Sequence, residues 1–269
     1  MSRVTSFLPL FLAIILSMLL SGCGRVSVED GPGQRDIDVS DIPDATPKVE
    51  PKSRYGNPES YVVFGQRYFP LESGRGFVER GVASWYGEKF HGRRTSSGET
   101  YDMYAMTAAH KTLPLPTYVR VTNLSNNRTI VVRVNDRGPF HDNRIIDLSY
   151  TGAKKLGMLK QGTALVEIRA IDPAQPIQSP VVALTSDAAG NQVRLFLQVG
   201  AFSYRDNAEN LKKQVVEIAD EIVLIEEVIR NGKPIYRVRL GPLLDVAHAD
   251  RLAFLLADAG FEHPHIVLE

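Results

Sequence analysis

Cysteine is nearly missing from this chain: Cys23 is the only one in 269 residues. A lone thiol closes no disulfide and builds no multi-cysteine zinc site inside one chain. Charge excess is missing too, with 31 basic residues against 31 acidic ones, and no basic run is present. Nucleic acid is therefore disfavoured as a partner. Histidines are few, and His263 and His265 have no third ligand beside them, so a zinc peptidase or amidase lacks its constellation and no metal or cofactor is implied. The apolar run Phe7 to Leu20, interrupted by Pro9 and Ser17, has 14 residues. That is short of the roughly 20 that span a bilayer as a helix.

What is present at the N-terminus reads as an export signal over residues 1–22. The run ends Leu19-Leu20-Ser21-Gly22-Cys23, which resembles a bacterial lipobox. Such a cysteine is acylated, and two or three acyl chains hold a protein on a membrane durably where one is marginal. Gly24 stands where an Asp would signal inner-membrane retention, so the expected address is the outer membrane, facing the periplasm. Residues 23–53 carry four prolines between Arg25 and Lys52, more acids than bases and no aromatic residue in that stretch. This composition predicts a disordered tether. A second break at 173–192, with Pro173, Pro176 and Pro180, predicts a linker and leaves folded blocks at 54–172 and 193–269.

Between Gly81 and Asp147, turn residues hold four acid-base side chains. Glu99 and Asp102 lie in Thr95-Ser96-Ser97-Gly98-Glu99-Thr100-Tyr101-Asp102. His110 closes Met106-Thr107-Ala108-Ala109-His110, and Asp136 lies in Asn135-Asp136-Arg137-Gly138-Pro139. Carboxylates beside Gly and Pro turns point to a site of strand ends and loops. From Gly81 to Phe140 eight Lys or Arg surround four acids, a basic rim suited to an anionic polymer. Residue types alone leave duller readings open: Asn135-Asp136-Arg137-Gly138 is also a good turn, Glu99 and Asp102 could be solvated, His110 could be a satisfied barrel-end histidine, and Trp85 and Tyr86 could be core.

The first block alternates in short strands at 117–121, 129–134, 144–148 and 164–168, with Asn126-Asn127 offering a hairpin turn. Ser149 fits as the N-cap of one short helix and Gly157 can end it. Short strands with one small helix predict a closed, all-β barrel. In the second block the order is β-α-β-β-α-β, with a hairpin across Asn231-Gly232 and Asp245 capping the second helix. Leu197-Gln198-Val199-Gly200 returns 41 residues later as Val238-Arg239-Leu240-Gly241. Two such halves describe an α+β split-βαβ sandwich.

Gly81 to Gly87, Thr95 to Glu99, Met106 to Pro114, Val119 to Leu124 and Val132 to Phe140 together resemble the rare lipoprotein A family. Asn127 departs from the Gly common in that hairpin. The resemblance implies a double-psi β-barrel, as in expansins and some cellulases. It also implies a lytic transglycosylase acting on peptidoglycan, with Asp136 as the acid-base and Glu99, Asp102 and His110 as its neighbours. Gln198 to Phe202, Asn207-Ala208 and Val238 to Pro242 resemble the SPOR domain, which binds glycan stripped of stem peptides. Alternation then places Phe196, Gln198, Arg237 and Arg239 on the open sheet face, where arginines could pair with freed lactyl carboxylates. Such a module implies a place at the division septum.

The implied chemistry needs no enzyme nucleophile. Muramic acid brings its own C6 hydroxyl, which closes a 1,6-anhydro ring while one carboxyl serves as acid and then base. A free Asp has a pKa of about 3.9, so the site must raise that value, by burial or by adjacent carboxylates; Glu99 or Asp102 could act so, while Arg137 would pull the other way if it faced inward. The alternative is a non-enzymatic, peptidoglycan-binding scaffold lipoprotein, since this barrel acts on polysaccharide without hydrolysis in expansins.

Overall fold

The computed structural model describes residue 31 and residues 37–174, 193–262 and 264–269. The expected signal peptide, the lipidation residue Cys23, His263 and all but the first two residues of the expected linker lie outside the described residues. A small hairpin, β1 (Tyr61–Val63) and β2 (Gln66–Tyr68), precedes six strands that close into a barrel. These are β3 (Val78–Tyr86), β4 (Thr107–His110), β5 (Thr117–Asn123), β6 (Thr129–Asp136), β7 (Arg144–Ser149) and β8 (Ala164–Ile171), in the order β3-β7-β4-β6-β5-β8. The β3–β7 and β4–β6 pairs are parallel and the other four antiparallel, the six-stranded closure of a double-psi barrel.

The barrel interior is filled by one face of each strand. Ala83, Ala108, Val119, Val121, Val132, Val134, Ile146, Leu148, Val166 and Ile168 are all fully buried there. Small Ala83 and Ala108 sit among branched residues, which lets the narrow interior close without voids. Helix α1 (Tyr150–Leu156) plugs one end. Its N-cap is Ser149, whose hydroxyl accepts from Gly152 N at 3.1 Å, and Gly157 ends it at φ 75°, as the sequence predicts.

The expected tether is corrected in its second half. Residues 37–53 form a strap across the barrel: Val39 is buried, and Ile42 and Ala45 pack on the core. Ala45 N donates to Val131 O at 3.0 Å, and Asp44 accepts from Val131 N at 2.8 Å and from Lys155 at 2.8 Å. The strap thus satisfies the edge of β6 that runs ahead of its pairing with β4, which begins at Arg133. Composition pointed to disorder because the apolar residues are few; those few are spaced to meet a preformed groove.

The second domain is a four-stranded antiparallel sheet with order β10-β11-β9-β12, from β9 (Leu195–Phe202), β10 (Val223–Arg230), β11 (Lys233–Leu243) and β12 (His265–Leu268). Helices α2 (Arg205–Val216) and α3 (Val246–Asp258) cover one face, where Leu197, Val199, Val238 and Leu240 meet Ala208, Val215, Ala249 and Leu256. Asp245 caps α3 by accepting from His248 N at 2.7 Å. The domain also rests on the barrel wall: buried Arg144 of β7 pairs with Asp250 of α3, and Val82 of β3 joins the second core. No helix among the described residues is long and apolar enough to cross a membrane.

Candidate active site on the outer barrel face

A slip in strand register creates the site. On β6, Val134 pairs with Ala108 of β4, but Asp136, two residues on, pairs with the next residue, Ala109. Asn135 is the extra residue of this bulge, and it turns Asp136 off the valine-filled interior onto Ala109's outer face. From the other side, Ala109 pairs with Asp147 of β7, and Asp147 pairs with Ser84 of β3. Ser84 donates a short hydrogen bond to Asp147 Oδ1. The row Ser84, Asp147, Ala109, Asp136 therefore crosses four neighbouring strands, with two carboxyls flanking one small residue.

Asp136 is held firmly by one oxygen. Its Oδ1 accepts from Ser96 N, Ser96 Oγ and Arg137 N, each at 2.7 Å. Its Oδ2 accepts no hydrogen bond among the described residues. Tyr86, at the end of β3, stacks on Tyr101 with ring centroids 4.1 Å apart. Its buried hydroxyl has Thr107 close by but makes no hydrogen bond of acceptable geometry among the described residues. Burial first, then Tyr101 and the charges of Asp136 and Asp147, hold that phenol well above its ordinary value. Tyr86 thus remains a neutral O–H donor beside both carboxyls.

The other expected site residues fall into place differently. Glu99 makes no hydrogen bond to Asp136. Arg133 Nη1 donates to both of its oxygens at 2.9 Å, and Asn135 Nδ2 donates to Oε2 at 2.8 Å. Arg133 also clamps Glu50 of the strap through Nε at 3.0 Å and Nη2 at 2.9 Å, so Glu99 helps hold the Thr95–Glu99 turn that carries Ser96. Asp102 makes no hydrogen bond to Asp136: its side chain is 55 % exposed, accepts from Tyr104 N at 3.0 Å and lies 3.7 Å from His91.

His110 follows Ala109 on β4, so its ring points to the opposite face from Asp136. It is 2 % exposed. Its Nδ1 accepts from Thr112 N at 3.1 Å and Leu113 N at 2.9 Å, so Nε2 carries the hydrogen and faces Glu79 at 3.4 Å. Burial, the largest influence, lowers its pKa and outweighs Glu79. A neutral ring with both nitrogens committed is a holder of the Thr112-Leu113 turn. Arg137 makes its side-chain hydrogen bonds away from the Asp136 carboxyl. Its guanidinium donates to Gly56 O at 2.8 Å, Leu113 O at 2.6 Å and Asn57 Oδ1 at 3.3 Å.

On the second domain, two of four expected glycan contacts are covered. Phe196 and Arg239 are each 4 % exposed. Arg239 Nη1 pairs with Glu226 at 2.9 Å and with Glu269, and its Nε donates to Gln198 Oε1 at 3.3 Å. Acids from the same sheet therefore occupy the guanidinium that alternation alone offered to the ligand. Arg237, 3.8 Å from Glu226, and Gln198 remain half-buried and accessible.

Comparison with known proteins follows the same division. Residues 78–168 match the family model described as lytic transglycolase, and residues 191–265 match the SPOR domain. The curated protein "Endolytic peptidoglycan transglycosylase RlpA" of Pseudomonas aeruginosa is 40 % identical over 300 residues, covering 92 % of this chain and 87 % of its own. The protein of that description from Vibrio cholerae is 38 % identical over 262 residues, covering 96 % of each. A crystal structure of the RlpA SPOR domain from Pseudomonas aeruginosa is 37 % identical across 27 % of this chain and 96 % of that one, with a TM-score of 0.27. At these identities across nearly the whole sequence, the chain belongs to the rare lipoprotein A (RlpA) family.

Proposed function

We propose that the protein is an endolytic peptidoglycan lytic transglycosylase, and that Asp136 is its acid-base. The observation that carries the reading is the row of Asp136, Ala109 and Asp147. A sugar ring laid over Ala109 has a carboxyl on each side, on backbones roughly 9 to 10 Å apart at two strand spacings. Asp136, taking a proton on Oδ2, the oxygen that accepts no hydrogen bond, gives it to the oxygen of the MurNAc-GlcNAc β-1,4 bond as that bond breaks. The C6 hydroxyl of the same muramic acid attacks its C1, and the carboxylate left on Asp136 takes the hydroxyl proton. The products are a free GlcNAc 4-hydroxyl and a 1,6-anhydro ring, no water is consumed, and Asp136 ends protonated. Asp147, oriented by Ser84, supplies negative charge opposite the developing oxocarbenium character. Glu99 and His110 act by holding the Ser96 and Thr112-Leu113 turns.

In this reading the C-terminal domain carries the barrel to peptide-stripped strands at the division septum, with Gln198 and Arg237 as the accessible contacts. Cys23 anchors the chain to the outer membrane, facing the periplasm, after a signal peptide at 1–22; the strap at 37–53 belongs with the barrel block 54–172, and a linker at 173–192 leads to the second domain at 193–269.

The test is digestion of peptide-free glycan strands followed by mass spectrometry. Anhydro-muramic ends are expected from the native protein and are expected to vanish in Asp136→Asn. Intact strands from a folded, glycan-binding native protein would instead make it a scaffold.

A further inference from the structure

Residues 54–63 lie ahead of the segment matched by the catalytic-domain model, which begins at residue 78. They nevertheless build a wall of the site. A cleft of about 560 Å³ opens between Tyr55, Asn57 and Pro58 on one side and Ser96, Arg137 and Phe140 on the other. Ser96 is the residue whose N–H and hydroxyl hold Asp136 Oδ1, so this cleft shares a wall with the catalytic carboxyl.

The wall is rigidly built. Asn57 accepts from Leu115 N and donates to Leu115 O, both at 2.8 Å, and Arg137 donates to Gly56 O at 2.8 Å. Gly56 has φ 82°, and a Cβ there would lie 2.8 Å from Ser96 O, so the segment is pressed onto the Ser96 turn. Against this fixed backbone Tyr55 stands out. The residue is 57 % exposed, and the Cδ2 edge of its ring meets Gly98, where an added Cβ would be 3.1 Å away. The Arg54 guanidinium sits 5.4 Å from the Tyr55 ring centre.

An exposed aromatic ring lining a cleft that shares Ser96 with the Asp136 carboxyl, with a guanidinium over it, offers apolar and cationic surface to a charged pyranose. Arg54 beside it matches the lactyl carboxylate of a peptide-stripped muramic acid. We propose that Tyr55 and Arg54 form a sugar subsite beyond the cleaved linkage, taking a residue of the same glycan strand. The inference rests on the functional reading above and adds a binding determinant outside the matched domain.

Two readouts test it on the full chain. In kinetics on peptide-free strands, Tyr55→Ala is expected to raise KM about 10-fold, to leave kcat nearly unchanged and to leave the melting temperature unmoved, with Tyr55→Phe close to native. In the Asp136→Asn background, Tyr55→Trp adds a fluorophore to a chain whose one tryptophan is Trp85, and its emission is expected to shift on titration with peptide-free glycan oligosaccharides. An unchanged KM in Tyr55→Ala, or an emission that ignores the oligosaccharide, overturns the subsite. If the native protein fails to cleave while the emission still responds, the enzymatic reading fails and the subsite stands as a binding site.

Discussion

Asp136 and Asp147 are register partners of the same residue, Ala109, from its two sides. Each is fixed by hydroxyl donors, Ser96 for Asp136 and Ser84 for Asp147. Asp147→Asn should therefore lower turnover on bare glycan by about 100-fold or more, in the range seen for loss of a positioned acid, base or charge-stabilising group. Ser84→Ala, which removes the Ser84 hydrogen bond and keeps the carboxyl, should cost less and should alter the pH profile of kcat. Full turnover in Asp147→Asn would confine the chemistry to Asp136 alone.

In the proposed reading the reacting sugar lies over Ala109, which is 4 % exposed and clusters with Tyr86 and Tyr101. Ala109→Val keeps a strand-favouring side chain but adds two methyl groups between the carboxyls, at a stability cost of about 1–3 kcal/mol. The expected result is a folded barrel by circular dichroism with turnover on bare glycan abolished. Retained turnover would move the reacting sugar away from this row.

Much of this was legible in the sequence, because the rules that fix it are local. Ser149, Gly157, Asp245 and the Asn231-Gly232 turn mark helix and hairpin ends with side-chain and φ requirements that need no tertiary partner. The site was half legible. Asp136 stands out beside its turn, whereas Asp147 hides within the apolar strand Arg144–Ser149, and only pairing with Ala109 brings it to the site. A lone carboxylate between Ile146 and Leu148 was the one available signal. Glu99 and Asp102, three residues apart, look equivalent in sequence. Arg133, 34 residues from Glu99, is what separates their roles. The strap over residues 37–53 was misread because composition carries no information about a groove waiting for Val39, Ile42 and Ala45.

Removing the strap tests that correction. Truncation to residue 54 deletes Asp44, which satisfies Val131 N, and Glu50, which shares Arg133 with Glu99. The melting temperature should fall by several degrees relative to truncation at residue 37, and activity should drop as the Ser96 turn loosens. Identical melting of the two truncations would return the segment to a tether.

His110 makes stability pH-dependent. Its pKa is lowered in the fold from the ordinary 6.5, chiefly by burial, so below about pH 6.5 the unfolded chain binds a proton that the folded chain refuses. Stability contributed here is complete above that pH, declines as pH falls, and stops declining once the folded group also protonates. His110→Ala should remove this acid sensitivity. It should also cost about 1–3 kcal/mol by leaving the Leu113 amide without its acceptor. His110→Asn, which keeps an acceptor near the Nδ1 position, should recover part of the loss. An acid-melting profile unchanged in His110→Ala would show that other groups govern it.

The two arginines of the second domain should separate binding from folding. Arg239 is buried among Glu226, Glu269 and Gln198, so Arg239→Ala strands carboxylates facing one another and should lower the melting temperature. Arg237 is half-buried and only 3.8 Å from Glu226, so Arg237→Ala should leave melting nearly unchanged. If the open face meets lactyl carboxylates, it is Arg237→Ala that should weaken pelleting with amidase-treated sacculi, and more so at low salt, where an exposed charge contributes most. Weakened pelleting in Arg239→Ala alone, at native melting temperature, would mean that glycan displaces Glu226 and Glu269 from the buried guanidinium.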